Sequence, residues 1–373
     1  MKILIIESNE AKIDRNYKNT SIVHVRNSVV IAEHFGADLI SVETEIPDVI
    51  NNKYDVIVCV YASGYQMYNK YLHILLNNRD AKIYWMTNEY SVPDNILLRK
   101  FVQECDIGFD MIANLERDGY KKSLLNLLIN GVRLNDWILN WYCVNLNALI
   151  YDKSFLRQVP NTLFGCEKTD CVYYSTFRPD RNNDLKDYNG ARYAISTSTK
   201  NVLEFKKSGI VAEFGDKLSW EKGKETLFSF KYSIYLEDTH THTHYNHIAN
   251  RFYECLMLDV LLFFDHRCRN TIEKSGYIVD EFMIVSNGKE LNQKMEQIDL
   301  DNELYFKLLD IQRKNCEIAE REKVEVLEKI GKIFEIEKTQ VKGDDFERQE
   351  KKRVVKIKKE DEDEELQLRM NLE

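Results

Sequence analysis

Short, uniformly apolar runs punctuate the first part of the chain. Ile3–Ile6, Val56–Tyr61 and Ile83–Met86 are rich in β-branched and aromatic residues. Runs of this length without polar alternation predict strands buried on both faces. Between them, Ser28–Gly36 and Met67–Asn78 carry helical spacing. Strands alternating with helices predict a parallel sheet with crossover connections. Asp106–Ala113 predicts a further strand, and Trp141–Ile150 is another apolar segment.

The pattern then restarts. Cys171–Thr176, Tyr193–Thr197, Leu227–Leu236 and Val260–Asp265 predict strands, and Asn201–Ser208 and Asn246–Asp259 predict helices. Phe177-Arg178-Pro179-Asp180-Arg181 reads as a polar turn after the first of these strands. The fold class expected is α/β, with two Rossmann-like halves facing a cleft. The boundaries read as 1–150 for the first half, 151–170 for a linker and 171–300 for the second half. Residues 301–338 form C-terminal helices, because Leu304, Leu308 and Ile311, then Val324, Leu327, Ile330 and Phe334, recur at helical spacing. In 339–373, a basic stretch, Lys351–Lys359, precedes the unbroken acidic run Glu360–Glu365. Such a segment buries too little apolar area to offset its ordering entropy, so a charged, disordered tail is expected there.

Length and composition agree with two cores: the chain has 373 residues, 44% of them hydrophobic. The formal net charge of −9 excludes a strong overall basic field, although not a local basic patch. The eight cysteines have no zinc-knuckle spacing and several lie in apolar runs, which reads as free thiols in a reducing compartment. The chain opens directly on a strand pattern rather than a signal peptide, and no run approaches the length of a membrane span. A cytoplasmic location is the expectation.

Candidate chemistry is densest between Lys231 and His266. A strand ending in Glu237-Asp238 leads into Thr239-His240-Thr241-His242-Thr243-His244-Tyr245-Asn246-His247, and then into a helix carrying Asn250, Arg251 and Glu254. In open α/β sheets, ligands bind beyond the carboxyl ends of strands. A helix N-terminus there offers unpaired N–H groups and a positive dipole end, which suit a diphosphate. Thr243 and Asn246 are both plausible N-caps. Glu254 sits among apolar neighbours and needs a partner, either paired ribose hydroxyls or a nearby cation. Arg251 reads as a phosphate ligand or a surface cation.

This order of strand, acidic strand end, polar loop, helix with a central Glu, and then Val260-Leu261-Leu262-Phe263-Phe264-Asp265 resembles the donor-binding domain of GT-B glycosyltransferases. The resemblance implies that Glu254 holds the ribose of a nucleotide sugar. Many retaining members carry two Glu with seven residues between them, and Asn246 stands at the earlier position. The segment is also similar to the donor segment of α1,3-fucosyltransferases, with Arg251 in place of a phosphate-binding Lys and Asp259 in place of a Gly. Arg178 and Arg181 then become diphosphate ligands, the alternative being a plain turn. Ser196 and Thr197 face the base or cap the following helix. His244 and His247 contact the sugar or diphosphate. Glu89, after a strand of the first half, is a general-base candidate for an acceptor hydroxyl.

The alternating His240, His242 and His244 also suggest a metal site, with Glu237 and Asp238 nearby. The resemblance favours no metal and no cofactor, the UDP- or GDP-linked sugar being a co-substrate. The reading is a glycosyltransferase acting on a hydroxyl. The many Asn, Lys and Tyr and the few Pro resemble bacteriophage proteins, which makes 5-hydroxymethylpyrimidine in double-stranded DNA a candidate acceptor. Lys121, Lys122, Arg133, Lys206 and Lys207 would then form a basic rim for phosphates. The alternatives are a fucosyltransferase-like enzyme acting on glycans and a non-catalytic nucleotide-binding or interaction protein.

Overall fold

The computed structural model describes residues 1–7, 23–41, 51–60, 72–88, 108–114, 128–129, 132–133, 138–153, 169–218, 227–239, 241 and 248–334. The chain divides into two compact units, Met1–Leu327 and Glu328–Glu373. In the second unit, residues 328–334 are helical.

The apolar runs become strands. In the first half these are β1 (Ile3–Glu7), β2 (Asp38–Ile40), β3 (Val56–Val60), β4 (Lys82–Thr87), β5 (Phe109–Ala113) and β8 (Ile138–Cys143), with the short antiparallel pair β6 (Leu128–Ile129) and β7 (Val132–Arg133) apart from them. The six form one parallel sheet in the order β2-β1-β3-β4-β5-β8. Every residue of β1, β3 and β5 is buried, as uniform apolarity requires of strands covered on both faces. Helix α1 (Val23–Phe35) crosses from β1 to β2. It begins five residues before the predicted helix.

The second sheet restarts the pattern with β9 (Thr169–Tyr174), β10 (Tyr193–Thr197), β11 (Glu213–Asp216), β12 (Phe230–Tyr235), β13 (Leu261–Asp265) and β14 (Ile284–Val285). All pairings are parallel, in the order β11-β10-β9-β12-β13-β14. Its helices are α2 (Pro179–Leu185), α3 (Thr199–Lys207), α4 (Asn250–Met257), α5 (Arg269–Ser275), α6 (Gly288–Leu300) and α7 (Asn302–Arg313). Tyr173, Ile195, Tyr232, Ile234 and Phe263 form the centre of this half's core, and Leu291, Met295 and Leu308 of the late helices pack on it.

Three sequence expectations change. The segment around Arg178 is not a free turn: Pro179 occupies the first turn of α2 and Arg178 is its N-cap. Proline suits that position because its fixed φ is already helical and its missing N–H would have had no partner. Helix α4 starts at Asn250 rather than Asn246, and its N-cap is Ala249, which offers no side-chain bond. The apolar segment Trp141–Ile150 is divided between the end of β8 and a 3₁₀ turn at Leu146–Ile150.

The position where a glycine was expected after α4 does adopt a left-handed backbone. Asp259 has φ 52°, a conformation that aspartate tolerates better than most residues. Its carboxylate is gripped by the Arg313 guanidinium through Nε at 2.9 Å and Nη2 at 2.7 Å. This ion pair ties the end of α4 to α7.

Candidate active site

In the second sheet the chain order reverses between β9 and β12. Such a switch point opens a crevice beyond the carboxyl ends of the two strands, because the crossovers leave in opposite directions. Several polar residues of the described structure converge there. Tyr174 ends β9, Ser175 follows it, and Glu237 and Asp238 follow β12. Arg178 and Arg181 come from the start of α2, and Arg251 and Glu254 from α4.

Arg181 forms a fork with Asp238, Nε to Oδ1 at 2.8 Å and Nη2 to Oδ2 at 3.1 Å, and Nη1 donates to Ser175 Oγ at 2.6 Å. Its Nη2 also lies 3.1 Å from Glu237 Oε2. Arg178 Nη1 donates to Asp238 Oδ2 at 3.0 Å, with the Arg178 side chain 32% exposed. Arg251 pairs with Glu237 through Nη1 and donates from Nη2 to the Tyr174 carbonyl at 2.8 Å. Its guanidinium lies 5.3 Å from the Tyr173 ring centroid and 5.2 Å from that of Tyr174. Among the described residues the buried Arg251 Nε meets no acceptor. A buried donor without an acceptor costs about 1–3 kcal/mol, so it marks a place that suits a ligand oxygen.

Among the described residues, Arg26, Arg178, Arg181 and Arg251 thus face Glu237, Asp238 and Glu254. The amino end of α4, where the N-cap residue Ala249 offers no side-chain bond, adds a partial positive charge. Burial raises the Asp238 carboxyl, but Arg181 and then Arg178 outweigh it and hold the group below its usual value of 3.8. A depressed carboxyl contributes stability that is present above its unfolded pKa and lost as the pH falls through the folded one. The stability margin of the native protein over an Asp238→Asn variant should therefore be full from neutral pH to about pH 4 and shrink below that. Urea unfolding across this range checks it.

Glu254 is held from both sides. Its Oε1 pairs with Arg26 Nη2, and its Oε2 accepts from the Tyr174 hydroxyl at 2.8 Å. Burial, reinforced by Cys255 and Glu254, pushes the Tyr174 phenol well above its ordinary value, so its proton stays in place to be donated. The cation expected as one of two partners for Glu254 is present, and it comes from the first half. A crossover helix that follows a parallel strand begins at the strand's carboxyl edge. Arg26, in the first turn of α1, therefore stands at the carboxyl edge of the first sheet, and its contact with α4 shows that this edge meets the site. Asn147 makes a second tie between the halves by donating to the Ile248 carbonyl, just ahead of α4, at 3.3 Å.

The other sequence candidates fall in several places. Ser196 and Thr197 end β10 beside the site, and neither caps α3. Thr197 Oγ1 donates to the Ser175 carbonyl at 2.7 Å, and Ser196 Oγ bonds the backbone of Asp216 and Leu218. Asn250 opens α4 half-buried. Glu89, His244, Asn246 and His247 lie outside the described residues, as do His240, His242, Lys121 and Lys122. Among the described residues no group of three or more His, Cys, Asp or Glu is placed to hold a metal ion. Lys206 and Lys207 close the last turn of α3. That turn lies towards the amino edge of the sheet, so they do not rim the site.

Arg26 and Tyr174 escaped the sequence reading. The signal for Arg26 was a cation between the apolar residues Val23, Val25, Val29 and Val30 of a helix start. Among the described residues no helix is long and apolar enough to cross a membrane.

No family model and no curated protein matches the chain. Solved structures do. A structure of the DNA-modifying enzyme beta-glucosyltransferase, in the presence and absence of its substrate uridine diphosphoglucose, superposes with a TM-score of 0.64 at 15% identity, over 90% of this chain and 100% of that one. A structure of T4 phage BGT in complex with UDP and Mn2+ superposes with a TM-score of 0.63 at 16% identity and the same coverage. An alpha-glucosyltransferase with UDP-glucose and DNA containing an abasic site follows at a TM-score of 0.56 and 11% identity, over 88% and 99% of the two chains. With these neighbours and its two six-stranded parallel sheets meeting at their carboxyl edges, the chain has the GT-B fold.

Proposed function

We propose that this protein is a glycosyltransferase that moves a sugar from a nucleoside diphosphate donor to a hydroxyl acceptor. The observation that carries the reading is the buried arginine–carboxylate cluster at the β9/β12 switch point, with Glu254 on the helix behind it. In this reading residues 171–300 hold the donor and residues 1–150 face the acceptor. Glu254 accepts from the ribose hydroxyls. Arg251, Arg178 and Arg181 stabilise the negative charge that builds on the leaving diphosphate, together with the amino end of α4. The ion pairs to Glu237 and Asp238 orient the guanidiniums in advance, so little reorganisation is needed when charge develops. Glu89 as the base, and His244, Asn246 and His247 against the sugar and diphosphate, complete the proposal from the sequence.

For the acceptor we propose 5-hydroxymethylpyrimidine in double-stranded DNA, flipped towards the carboxyl edge of the first sheet. Support comes from the DNA-modifying and DNA-bound descriptions of the similar enzymes. Transfer from radiolabelled UDP-glucose to hydroxymethylcytosine DNA, unmodified DNA and simple glycans tests both levels. The expected result is label on the modified DNA alone. Label on glycans overturns the acceptor. The absence of both transfer and slow donor hydrolysis overturns the enzyme reading. Because one similar structure is a complex with UDP and Mn2+, the assay is run with and without that ion.

A further inference from the structure

Glu254 and Arg26 are 228 residues apart in sequence and sit on helices of different halves, α4 and α1. Both are removed from water, Arg26 being 1% and Glu254 4% exposed. Among the described residues Glu254 forms an ion pair with one cation, and that cation is Arg26. Each carboxylate oxygen has two lone-pair directions. Arg26 takes one on Oε1 and the Tyr174 hydroxyl takes one on Oε2. The two grips fix the plane of the carboxylate and leave one acceptor direction on each oxygen. Two parallel acceptor sites on one rigid carboxylate match the two adjacent hydroxyls of a ribose.

We propose that Arg26 is the positioning residue for ribose recognition: held by Arg26, the Glu254 carboxylate distinguishes a ribonucleoside diphosphate from its 2′-deoxy counterpart. The inference rests on the reading of Glu254 as the ribose acceptor. It adds that sugar selectivity at the donor nucleotide is set by a residue of the opposite half. Arg26 need not touch the nucleotide. Without it, Glu254 keeps the Tyr174 bond but is free to rotate about that single contact, and its second oxygen no longer has a defined direction.

Calorimetric titration of UDP and 2′-deoxy-UDP into the full chain tests this, with thermal unfolding recorded for each variant. The native protein is expected to prefer UDP by roughly tenfold or more, the scale of one hydrogen bond to a charged group. In Arg26→Met the ratio of the two affinities should fall towards one, as it should in Glu254→Gln, and the double variant should match Glu254→Gln alone. If Arg26→Met weakens both nucleotides equally and keeps the native ratio, Arg26 is only structural and the proposal is overturned. If Arg26→Met fails to fold, Arg26→Gln decides: it stays polar but loses the charge and the reach of Nη2 to Oε1, so a reduced ratio supports the proposal and an unchanged ratio overturns it. A native protein that binds UDP without preference, or does not bind it, overturns the reading of Glu254 itself and this proposal with it.

Discussion

Replacing Glu254 by alanine is expected to weaken UDP binding by about 10²–10⁴-fold. Two hydrogen bonds from ribose hydroxyls to a buried carboxylate contribute about 1.5–3 kcal/mol each, and each 1.4 kcal/mol is about tenfold in affinity. The substitution also strands Arg26, 1% exposed, beside the gap. Removing one partner of a buried ion pair costs about 3–5 kcal/mol, so the unfolding temperature should fall by several degrees. Glu254→Gln separates the two effects, because it keeps the shape and one acceptor while losing the charge. Titration calorimetry and thermal unfolding of both variants provide the check. Native UDP affinity in a folded Glu254→Ala protein would contradict the assignment.

The second large effect concerns Arg251. Arg251→Met should lower the rate of donor cleavage by about 10²–10³, the scale seen when one preorganised donor to a developing anion is removed. UDP affinity should fall as well, whereas uridine, which lacks the diphosphate, should bind as it does to the native protein. The fold should survive, because Glu237 keeps Arg181 Nη2 at 3.1 Å as a partner. Methionine also retains apolar contact with Tyr173 and Tyr174, the rings over which the guanidinium lies. Equal losses for UDP and uridine would place Arg251 away from the phosphates.

Much of this architecture was legible in the residues. β1, β3, β9, β10, β12 and β13 declared themselves because a parallel strand covered on both faces must be apolar at nearly every position. β11 did not: its residues Glu213–Asp216 lie on the sheet edge, largely exposed, and carry no burial pattern. β2 and β14 are only three and two residues long. The start of α4 was misplaced because Thr243 and Asn246 looked like caps, whereas the helix begins after Ala249 with no side-chain cap. Arg178 looked like part of a turn because Pro-Asp serves turns and first helical turns alike.

The site was legible in part for a different reason. Arg178, Arg181, Arg251 and Glu254 follow strand ends or start helices, and the carboxyl-edge rule singles out such positions from sequence order alone. Their pairings with Glu237 and Asp238 depend on two strands adjacent in the sheet but some sixty residues apart in the chain, as the Arg181–Asp238 separation of 57 shows. The grip of Arg26 on Glu254 depends on how the two sheets face each other, which no local pattern records.

On the proposed reading, the cluster at the β9/β12 switch point is the donor site. A crystal structure of the protein with UDP bound tests it most directly. The account predicts the diphosphate among Arg178, Arg181 and Arg251, with ribose hydroxyls about 3 Å from the Glu254 carboxylate. A nucleotide bound elsewhere, with Glu254 engaged only by Arg26 and Tyr174, would contradict it.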